Sequence, residues 1–370
     1  MMYTIVATTT FGLEAITAKE LKALGYEDLK VENGKVTFEG DEMDIAICNI
    51  HLRTAERVFI KMAEFKATTF EELFQGTLKV NWGDLIPQDG KMHVIGKSVK
   101  STLFSVPDCQ SIVKKAVVEK MKSKYNTDWF SEDGPIYKIE IALLKDIATL
   151  SIDTSGLGLH KRGYRENAGS APLKETLAAA MVLLSKYDGS RILADPFCGS
   201  GTIAIEAAMI ARNIAPGVNR SFESENWPNF DKEIWDQVRQ GAKSAENNKE
   251  IEILASDIDG RVLRTAMNNA IKAGVSDCIK FQKIPMQSFS SKKKRGIIIT
   301  NPPYGERLLQ EDEVRNLYID FSKVYNNLND WSCYILTSYG DFQKCFGKKA
   351  DKNRKLYNGR ILCYYYQYNI

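Results

Sequence analysis

The chain has 370 residues, of which 44% are hydrophobic and 26% are charged, and its net charge at pH 7 is +3. This length allows two or three domains, and the composition is that of an ordinary globular protein. Its seven cysteines form no CxxC pair and it has only three histidines, which argues against a disulfide framework and a metal site. Neither a signal peptide nor an apolar run of about 18–20 residues is evident, so we expect a cytoplasmic protein that does not cross a membrane.

The first 66 residues alternate between strand and helix signals. An opening strand is followed by a helical pattern at 12–24, and Asn33-Gly34 then separates two short strands, as a hairpin turn does. Asp41 can cap a second helix, and a further strand covers 58–65. The order β-α-β-β-α-β predicts a ferredoxin-like unit in residues 1–66, a scaffold that carries no function of its own.

A lysine-rich helix marks a second unit, which we assign to residues 67–154. The helix spans 107–125 and follows a loop, residues 96–101, that contains glycine and serine. Such a helix face is more often simply solvated. Here the lysines flank a loop that can approach a phosphate backbone, so the competing interpretation is RNA binding by Lys97 and Lys100.

Residues 155–170 form a predicted hinge that concentrates basic side chains around one aromatic ring. Lys161, Arg162 and Arg165 surround Tyr164 in the sequence. This pattern suits nucleic-acid contact, in which basic groups pair with phosphates and the ring stacks on a base. The alternative is a linker whose arginines pair with carboxylates of the flanking domains, and the residues alone do not choose between the two.

The last predicted domain, residues 171–370, contains a glycine-rich turn between a strand and a helix. Asp195-Pro196 precedes Gly199-Ser200-Gly201, and the turn is neither a GxGxxG fingerprint nor a phosphate loop with its lysine. Backbone N–H groups at such a turn face a ligand that comes close. A ligand with an amino-acid zwitterion would use these groups and the carboxylate of Asp195.

A second acidic residue, Asp257, ends the next predicted strand. In this position it can accept both ribose hydroxyls of an adenosine, while Ile258 lies against the purine. Its distance along the chain from the glycine-rich turn is unusually long, and a polar, tryptophan-containing insertion at 211–250 accounts for the excess.

Asn301-Pro302-Pro303-Tyr304 follows a strand of three isoleucines, and the prolines must end that strand because they have no N–H to donate. The Asn301 side-chain oxygen and the Pro302 carbonyl oxygen can face one exocyclic amino group, with the Tyr304 ring beside it. A plain Pro-Pro turn would explain the prolines, but not the flanking asparagine and tyrosine.

The two loops 195–202 and 301–304 resemble the cofactor and catalytic motifs of class I S-adenosylmethionine-dependent amino-methyltransferases. The hinge and the N-terminal units resemble, more narrowly, the THUMP-domain RNA guanine-N2 methyltransferases of the large-subunit rRNA type. This resemblance implies an α/β fold, in which a Rossmann-like domain with a mostly parallel seven-stranded sheet follows the ferredoxin-like and THUMP units. It also implies methyl transfer from S-adenosylmethionine, with S-adenosylhomocysteine as product, to N2 of a guanine in rRNA or a ribosomal precursor.

The resemblance assigns roles to individual residues. The catalytic residues would be Asn301, Pro302 and Tyr304. The cofactor would be bound by Pro172, Asp195, Pro196, Phe197, Gly199, Ser200, Gly201, Thr202, Asp257, Ile258, Met286 and Asn301. RNA would be bound by Lys97, Lys100, Lys161, Arg162, Tyr164 and Arg165. Relatives carry an acidic residue for the adenine amino group where this chain has residues 283–287, so backbone groups, Met286 or Gln287 would take its place.

Three other functions stay open at this point. Methylation of adenine N6 in RNA or DNA would use the same Asn-Pro-Pro-Tyr loop. A non-catalytic RNA-binding protein with a vestigial cofactor fold would not need Asn301, Tyr304 or Asp257 intact. A nicotinamide oxidoreductase would need the third glycine, which is absent.

Overall fold

The computed structural model describes residues 1–165, 173–304 and 311–369. Its strands form two seven-stranded sheets, and its helices cover the faces of both. The strands are β1 Tyr3–Thr9, β2 Lys30–Glu32, β3 Lys35–Gly40, β4 Ala55–Lys66, β5 Lys91–Val99, β6 Ile136–Leu144, β7 Ile147–Asp153, β8 Leu193–Asp195, β9 Ile253–Asp257, β10 Ile279–Lys283, β11 Ile297–Thr300, β12 Ser332–Thr337, β13 Lys352–Asn358 and β14 Ile361–Tyr368. The helices are α1 Glu14–Ala23, α2 Glu42–His51, α3 Phe70–Leu78, α4 Val106–Tyr125, α5 Glu175–Ser185, α6 Thr202–Ala211, α7 Lys232–Ser244, α8 Gly260–Lys272, α9 Glu311–Asn326 and α10 Phe342–Phe346.

The first sheet joins the two N-terminal units. Its order is β2-β3-β1-β4-β7-β6-β5, and the first four strands with α1 and α2 form the ferredoxin-like unit. The connection is β4, whose twelve residues pair with β1 on one side and with β7 on the other. The predicted Asn33-Gly34 hairpin joins β2 to β3. One long strand therefore makes a single continuous sheet of the two units.

The second sheet has the order β10-β9-β8-β11-β12-β14-β13. Its first five strands are parallel, and β14 is inserted antiparallel between β12 and β13. The predicted fold class is confirmed. The chain order reverses at β8, because β9 lies on one side of this strand and β11 on the other. In open α/β sheets, ligands bind at such a switch point, beyond the carboxyl ends of the strands. The predicted glycine-rich turn and the Asn-Pro-Pro-Tyr loop both begin there.

The insertion at 211–250 connects the two halves of the molecule. Trp227 is fully buried, stacks on Tyr137 with ring centroids 4.7 Å apart, and donates its indole N–H to the carbonyl oxygen of Ile136 at 3.0 Å. Asn229 donates to the carbonyl oxygen of Leu85 at 2.9 Å. A segment between α6 and β9 of the second sheet is thus packed against the part of the chain that contains the first sheet. In the described ranges, no helix has the length and apolar character needed to cross a membrane.

Replacing Trp227, which joins the insertion to the first sheet, should destabilise the whole chain. We expect Trp227→Ala to lower the free energy of unfolding by about 3–4 kcal/mol, because a large buried ring and its hydrogen bond are lost. Trp129→Ala is the matched control, since that ring is 73% exposed and its removal should cost no more than about 0.5 kcal/mol. Urea denaturation followed by circular dichroism measures both. An equal loss of unfolding free energy in the two variants would contradict a stabilising role for Trp227.

Candidate functional site

A buried hydrogen bond holds the two predicted loops together. Asp195 ends β8 and is 1% exposed. Its Oδ1 atom accepts from the Thr300 hydroxyl at 2.6 Å and from the Phe197 backbone N–H at 3.2 Å. Because Thr300 is the last residue of β11, this contact fixes the start of the Asn-Pro-Pro-Tyr loop beside the start of the glycine-rich turn.

The turn itself is shaped for close backbone packing. The Gly201 N–H donates to the Cys198 carbonyl oxygen at 2.8 Å, and Gly201 has a φ of +82°. A Cβ at Gly201 would lie 3.1 Å from the Cβ of Ala266 in α8, so a side chain would push α6 and α8 apart. Asn269 donates to the carbonyl oxygen of Ser200 at 3.0 Å and fixes the turn from the other side.

Asp257 organises the neighbouring loop. Its Oδ2 accepts from the Gly199 N–H at 3.0 Å, and its Oδ1 accepts from the Asp259 N–H at 2.9 Å. Each carboxylate oxygen has a second lone pair, so Asp257 can still accept two further hydrogen bonds. Ile258 is 71% exposed beside it, an aliphatic surface that an adjacent ring could cover.

The catalytic loop contains an unsatisfied acceptor. Within the described part of the chain, the side-chain oxygen of Asn301 is buried and accepts no hydrogen bond. Such an atom costs about 1–3 kcal/mol when it stays unpaired. Pro302 is buried, and the Tyr318 hydroxyl donates to the Pro303 carbonyl oxygen at 3.4 Å. The loop is therefore also held by α9. The loop thus presents an acceptor that no described residue satisfies and that a donor on a ligand can pair with.

These donor and acceptor groups fit an adenosine-containing amino-acid cofactor. The pKa of Asp195 is raised mainly by burial and, to a smaller extent, by the nearby carboxylate of Asp257. A carboxylate pair suits a ligand that carries an ammonium, a sulfonium and ribose hydroxyls. Asp195 would then hold the amino group, Asp257 the ribose, and Ile258 the adenine. These assignments stay predictions.

Burial raises the pKa of Asp195 to about 7, from an ordinary value of 3.8, and the hydrogen bonds from Thr300 and Phe197 only partly oppose this effect. The carboxylate therefore carries a cost in the folded protein near neutral pH. A cationic ligand group beside it would remove that cost.

The hinge residues do not form the RNA contact that the sequence suggested for three of them. Arg162 and Tyr164 are each 4% exposed, and both bond to the carboxylate of Glu206 in α6, at 3.3 Å and 3.1 Å. Arg165 pairs with Glu175 at 3.3 Å and also bonds to the Thr202 hydroxyl. Arg162 and Tyr164 are thus buried and paired within the chain, and Arg165 is held by Glu175 and Thr202, although its Nε has no partner among the described residues. The predicted RNA roles of Arg162, Tyr164 and Arg165 are therefore corrected to that of a linker whose arginines pair with carboxylates.

The other predicted contacts are distributed as follows. Lys97, Lys100 and Lys161 are exposed and keep their predicted RNA roles as predictions. Met286 is 3% exposed and packs in the core with Phe289. Pro172 lies outside the described residues.

Sequence reasoning missed two side chains that support the site. Thr300 ends a strand whose other three residues are isoleucines, and nothing in its local pattern shows the bond to Asp195. Asn358 donates to the Tyr304 hydroxyl at 3.0 Å from the end of β13. The dipeptide Asn358-Gly359 is a hairpin signal, so the turn that carries Asn358 was open to prediction.

The Asp195→Asn variant should be more stable than the wild type above neutral pH and nearly equal to it near pH 4. The folded-state pKa is raised, so the stability of the wild type is full below about pH 4 and falls as pH rises towards 7. The neutral amide avoids this loss, and the free energy of unfolding at pH 8 should rise by about 1–3 kcal/mol. Urea denaturation at both pH values measures the difference, and the same change at pH 4 and pH 8 would refute the shifted pKa. The variant should also bind S-adenosylmethionine more weakly in calorimetry.

Three family profiles match consecutive parts of the chain. The RlmL ferredoxin-like domain matches residues 4–59, the THUMP domain matches 67–153, and the methyltransferase domain described as RMKL-like matches 162–367. The last match alone covers more than half of the chain. Together they follow the order of the two sheets.

Two relatives illustrate the range of similarity. YpsC of Bacillus subtilis, which is provisionally named an RNA methyltransferase, is 52% identical over 99% of this chain and 96% of its own. The ribosomal RNA large subunit methyltransferase K/L of Vibrio cholerae is 36% identical over 98% of this chain, but over only 53% of its own length. The chain thus spans about half of the K/L proteins that it matches.

Solved structures agree with this relationship. A Listeria monocytogenes protein provisionally described as an N6-adenine-specific DNA methylase superposes with a TM-score of 0.95 at 50% identity, and the match covers 100% of this chain and 96% of the Listeria chain. SMU.472, a protein described as a methyltransferase and complexed with S-adenosylhomocysteine, gives a TM-score of 0.95 at 44% identity, covering 100% and 98%. The predicted cofactor is thereby confirmed. The chain belongs to the family of RMKL-like methyltransferases that also carry ferredoxin-like and THUMP domains, and it is an S-adenosylmethionine-dependent methyltransferase.

Proposed function

We propose that this enzyme methylates the exocyclic N2 amino group of a guanine in large-subunit ribosomal RNA. The observation that carries the proposal is the buried side-chain oxygen of Asn301 at the switch point of the sheet, which the described residues of the chain leave unpaired. An exocyclic amino group supplies the N–H that this oxygen lacks. The THUMP domain and the large-subunit rRNA methyltransferases among the relatives support RNA as the substrate class.

Hydrogen bonds that the amino group donates to the protein would favour the reaction. The nitrogen lone pair is delocalised into the base and must localise before it can attack. Acceptance of the two N–H bonds by the Asn301 oxygen and the Pro302 carbonyl oxygen favours that change and stabilises the positive charge that grows on nitrogen. S-adenosylmethionine supplies an electrophilic methyl group when it is bound. The methylated nitrogen is acidic enough to release its proton to water, so no strong general base is required.

Tyr304 would hold the base in place. Its ring is half-buried at the end of the rigid loop, where it can stack on a base that has left its helix. Cys198 has no nucleophilic role in this reaction. Burial and the nearby carboxylates raise the pKa of its thiol, and it lies inside the glycine-rich turn.

RNA docking would involve the tip of the first sheet at which β5 and β6 end and β7 begins. Val99, Leu144 and Ile147 are paired neighbours on three adjacent strands, and all three are exposed. Exposed Lys100 and Lys145 directly follow two of these strands. Apolar surface for bases next to cations for phosphates is the combination that single-stranded RNA requires.

Adenine N6 is the second candidate acceptor. The Asn-Pro-Pro-Tyr loop would accept its amino group in the same way, and the similar Listeria protein is described as an N6-adenine-specific methylase. The large-subunit rRNA relatives favour guanine as the first choice. The nucleoside produced decides between them.

The Asn301→Ala variant tests the proposed chemistry. In a strain that lacks the gene, we expect mass spectrometry of rRNA nucleosides to show a loss of N2-methylguanosine, which the wild-type gene restores and Asn301→Ala does not. The loss of this acceptor should lower the rate by at least about 100-fold, as for other transition-state hydrogen bonds. Asn327→Ala, an exposed asparagine in the same domain, is the matched control and should restore the nucleoside fully. A missing N6-methyladenosine instead would favour the second candidate, and an active Asn301→Ala would refute the mechanism.

The Lys100→Gln/Lys145→Gln double variant tests the docking tip. We expect affinity for unmethylated large-subunit rRNA to fall about tenfold and the salt dependence of binding to weaken by the equivalent of about two phosphate contacts. Affinity for S-adenosylmethionine should not change. Lys323→Gln/Lys344→Gln removes two exposed lysines from α9 and α10 and serves as the control. Filter binding at several salt concentrations measures the difference, and equal behaviour of the two double variants would contradict docking at the tip.

A further inference from the structure

The Tyr304 hydroxyl has partners on a segment to which no role has been assigned. Asn358 donates its side-chain N–H to this hydroxyl oxygen at 3.0 Å, and the Cys363 thiol lies 3.5 Å from it. Both residues belong to the hairpin formed by β13 and β14. Leu356 and Cys363 are a cross-strand pair, as are Asn358 and Ile361, so this face of the hairpin is turned towards the catalytic loop.

The hairpin is itself held by the N-terminal unit. Gly12 packs so closely against β13 that a Cβ would lie 2.9 Å from the Lys355 carbonyl oxygen. Next to this contact, Phe11 and Tyr357 form an edge-to-face pair with ring centroids 5.9 Å apart. The chain that carries Asn358 is therefore supported on both sides, by the second sheet and by the loop before α1.

We propose that Asn358 is a positioning residue that fixes the direction in which the Tyr304 ring projects from its loop towards the substrate base. This inference rests on the proposed stacking role of Tyr304. The ring is attached to a loop whose two prolines fix the backbone but leave the side-chain torsions free. A single hydrogen bond at the far end of the ring restricts rotation about the Cα–Cβ bond, because that rotation displaces the hydroxyl oxygen more than any other atom of the side chain.

The bond suits this role because the Tyr304 hydroxyl can accept it and the backbone of Asn358 is held in a strand. Burial raises the pKa of the Tyr304 hydroxyl, so it stays neutral and its oxygen can accept from an amide. Asn358 is half-buried at the last position of β13, where the ladder fixes its backbone. An oriented aromatic face then awaits the base, and little ordering has to take place during binding.

The test compares Asn358→Leu, which removes the donor at similar volume, with Asn358→Asp, which can accept from the hydroxyl instead. Methylation of rRNA from a strain that lacks the gene is followed under steady-state conditions. We expect Asn358→Leu to lower kcat about five- to tenfold, as for the loss of one orienting hydrogen bond, with an unchanged KM for S-adenosylmethionine. Asn358→Asp should retain most of the activity.

A double-mutant cycle with Tyr304→Phe separates positioning from a general structural role. Tyr304→Phe keeps the ring and loses the hydroxyl, so Asn358→Leu should cause no further loss in that background. Additive losses in the cycle, or an Asn358→Leu variant with full kcat, would overturn the inference. Tyr304→Ala tests the underlying function separately. If that variant retains activity, the stacking role fails, whereas an inactive Tyr304→Ala together with a fully active Asn358→Leu refutes only the role of Asn358.

Discussion

The hydrogen bond from the Thr300 hydroxyl to Asp195 is the contact on which the site depends. Asp195 ends β8 and Thr300 ends β11. These two strands are neighbours in the second sheet because the chain order reverses at β8. The bond has a length of 2.6 Å and is fully buried, so the two loops begin at fixed positions beside each other. In the proposed reaction the sheet would thereby set the geometry of cofactor and acceptor base, since rigid strands hold a reacting pair more precisely than loops do.

A second network extends this rigidity to the N-terminal units. Arg162, Tyr164 and Arg165 connect the linker to Glu206 and Thr202, which both belong to α6, the helix that follows the glycine-rich turn. Buried ion pairs contribute little net stability, but the removal of one partner leaves a costly charge. Such a network therefore favours one arrangement of the linker over all others. The insertion around Trp227 adds apolar contact between the same two parts of the chain.

Much of this architecture was open to prediction from the sequence, and the exceptions have physical reasons. The Asn33-Gly34 hairpin, the capping of α2 by Asp41 and the strand before Asn301 depend on local patterns, and the structure contains them. The fusion of two units into one sheet through β4 depends on pairing between distant strands, which no local pattern shows. The basic linker was ambiguous because arginine serves RNA contacts and buried ion pairs equally well, and only the position of Glu206 in space decides.

The site also shows why the free protein is not at its most stable. Asp195 carries a carboxylate that burial disfavours, and the buried side-chain oxygen of Asn301 has no partner in the ranges that the structure describes. Each of these groups suits one of the two proposed ligands. A cationic group of the cofactor would stabilise the Asp195 carboxylate, and an exocyclic N–H of the base would pair with the Asn301 oxygen. The two are linked through Thr300, whose side chain bonds to Asp195 and whose backbone leads into Asn301. Occupation of the cofactor pocket should therefore also restrain the acceptor loop, so that the base meets a site in which its hydrogen-bond partners are already fixed.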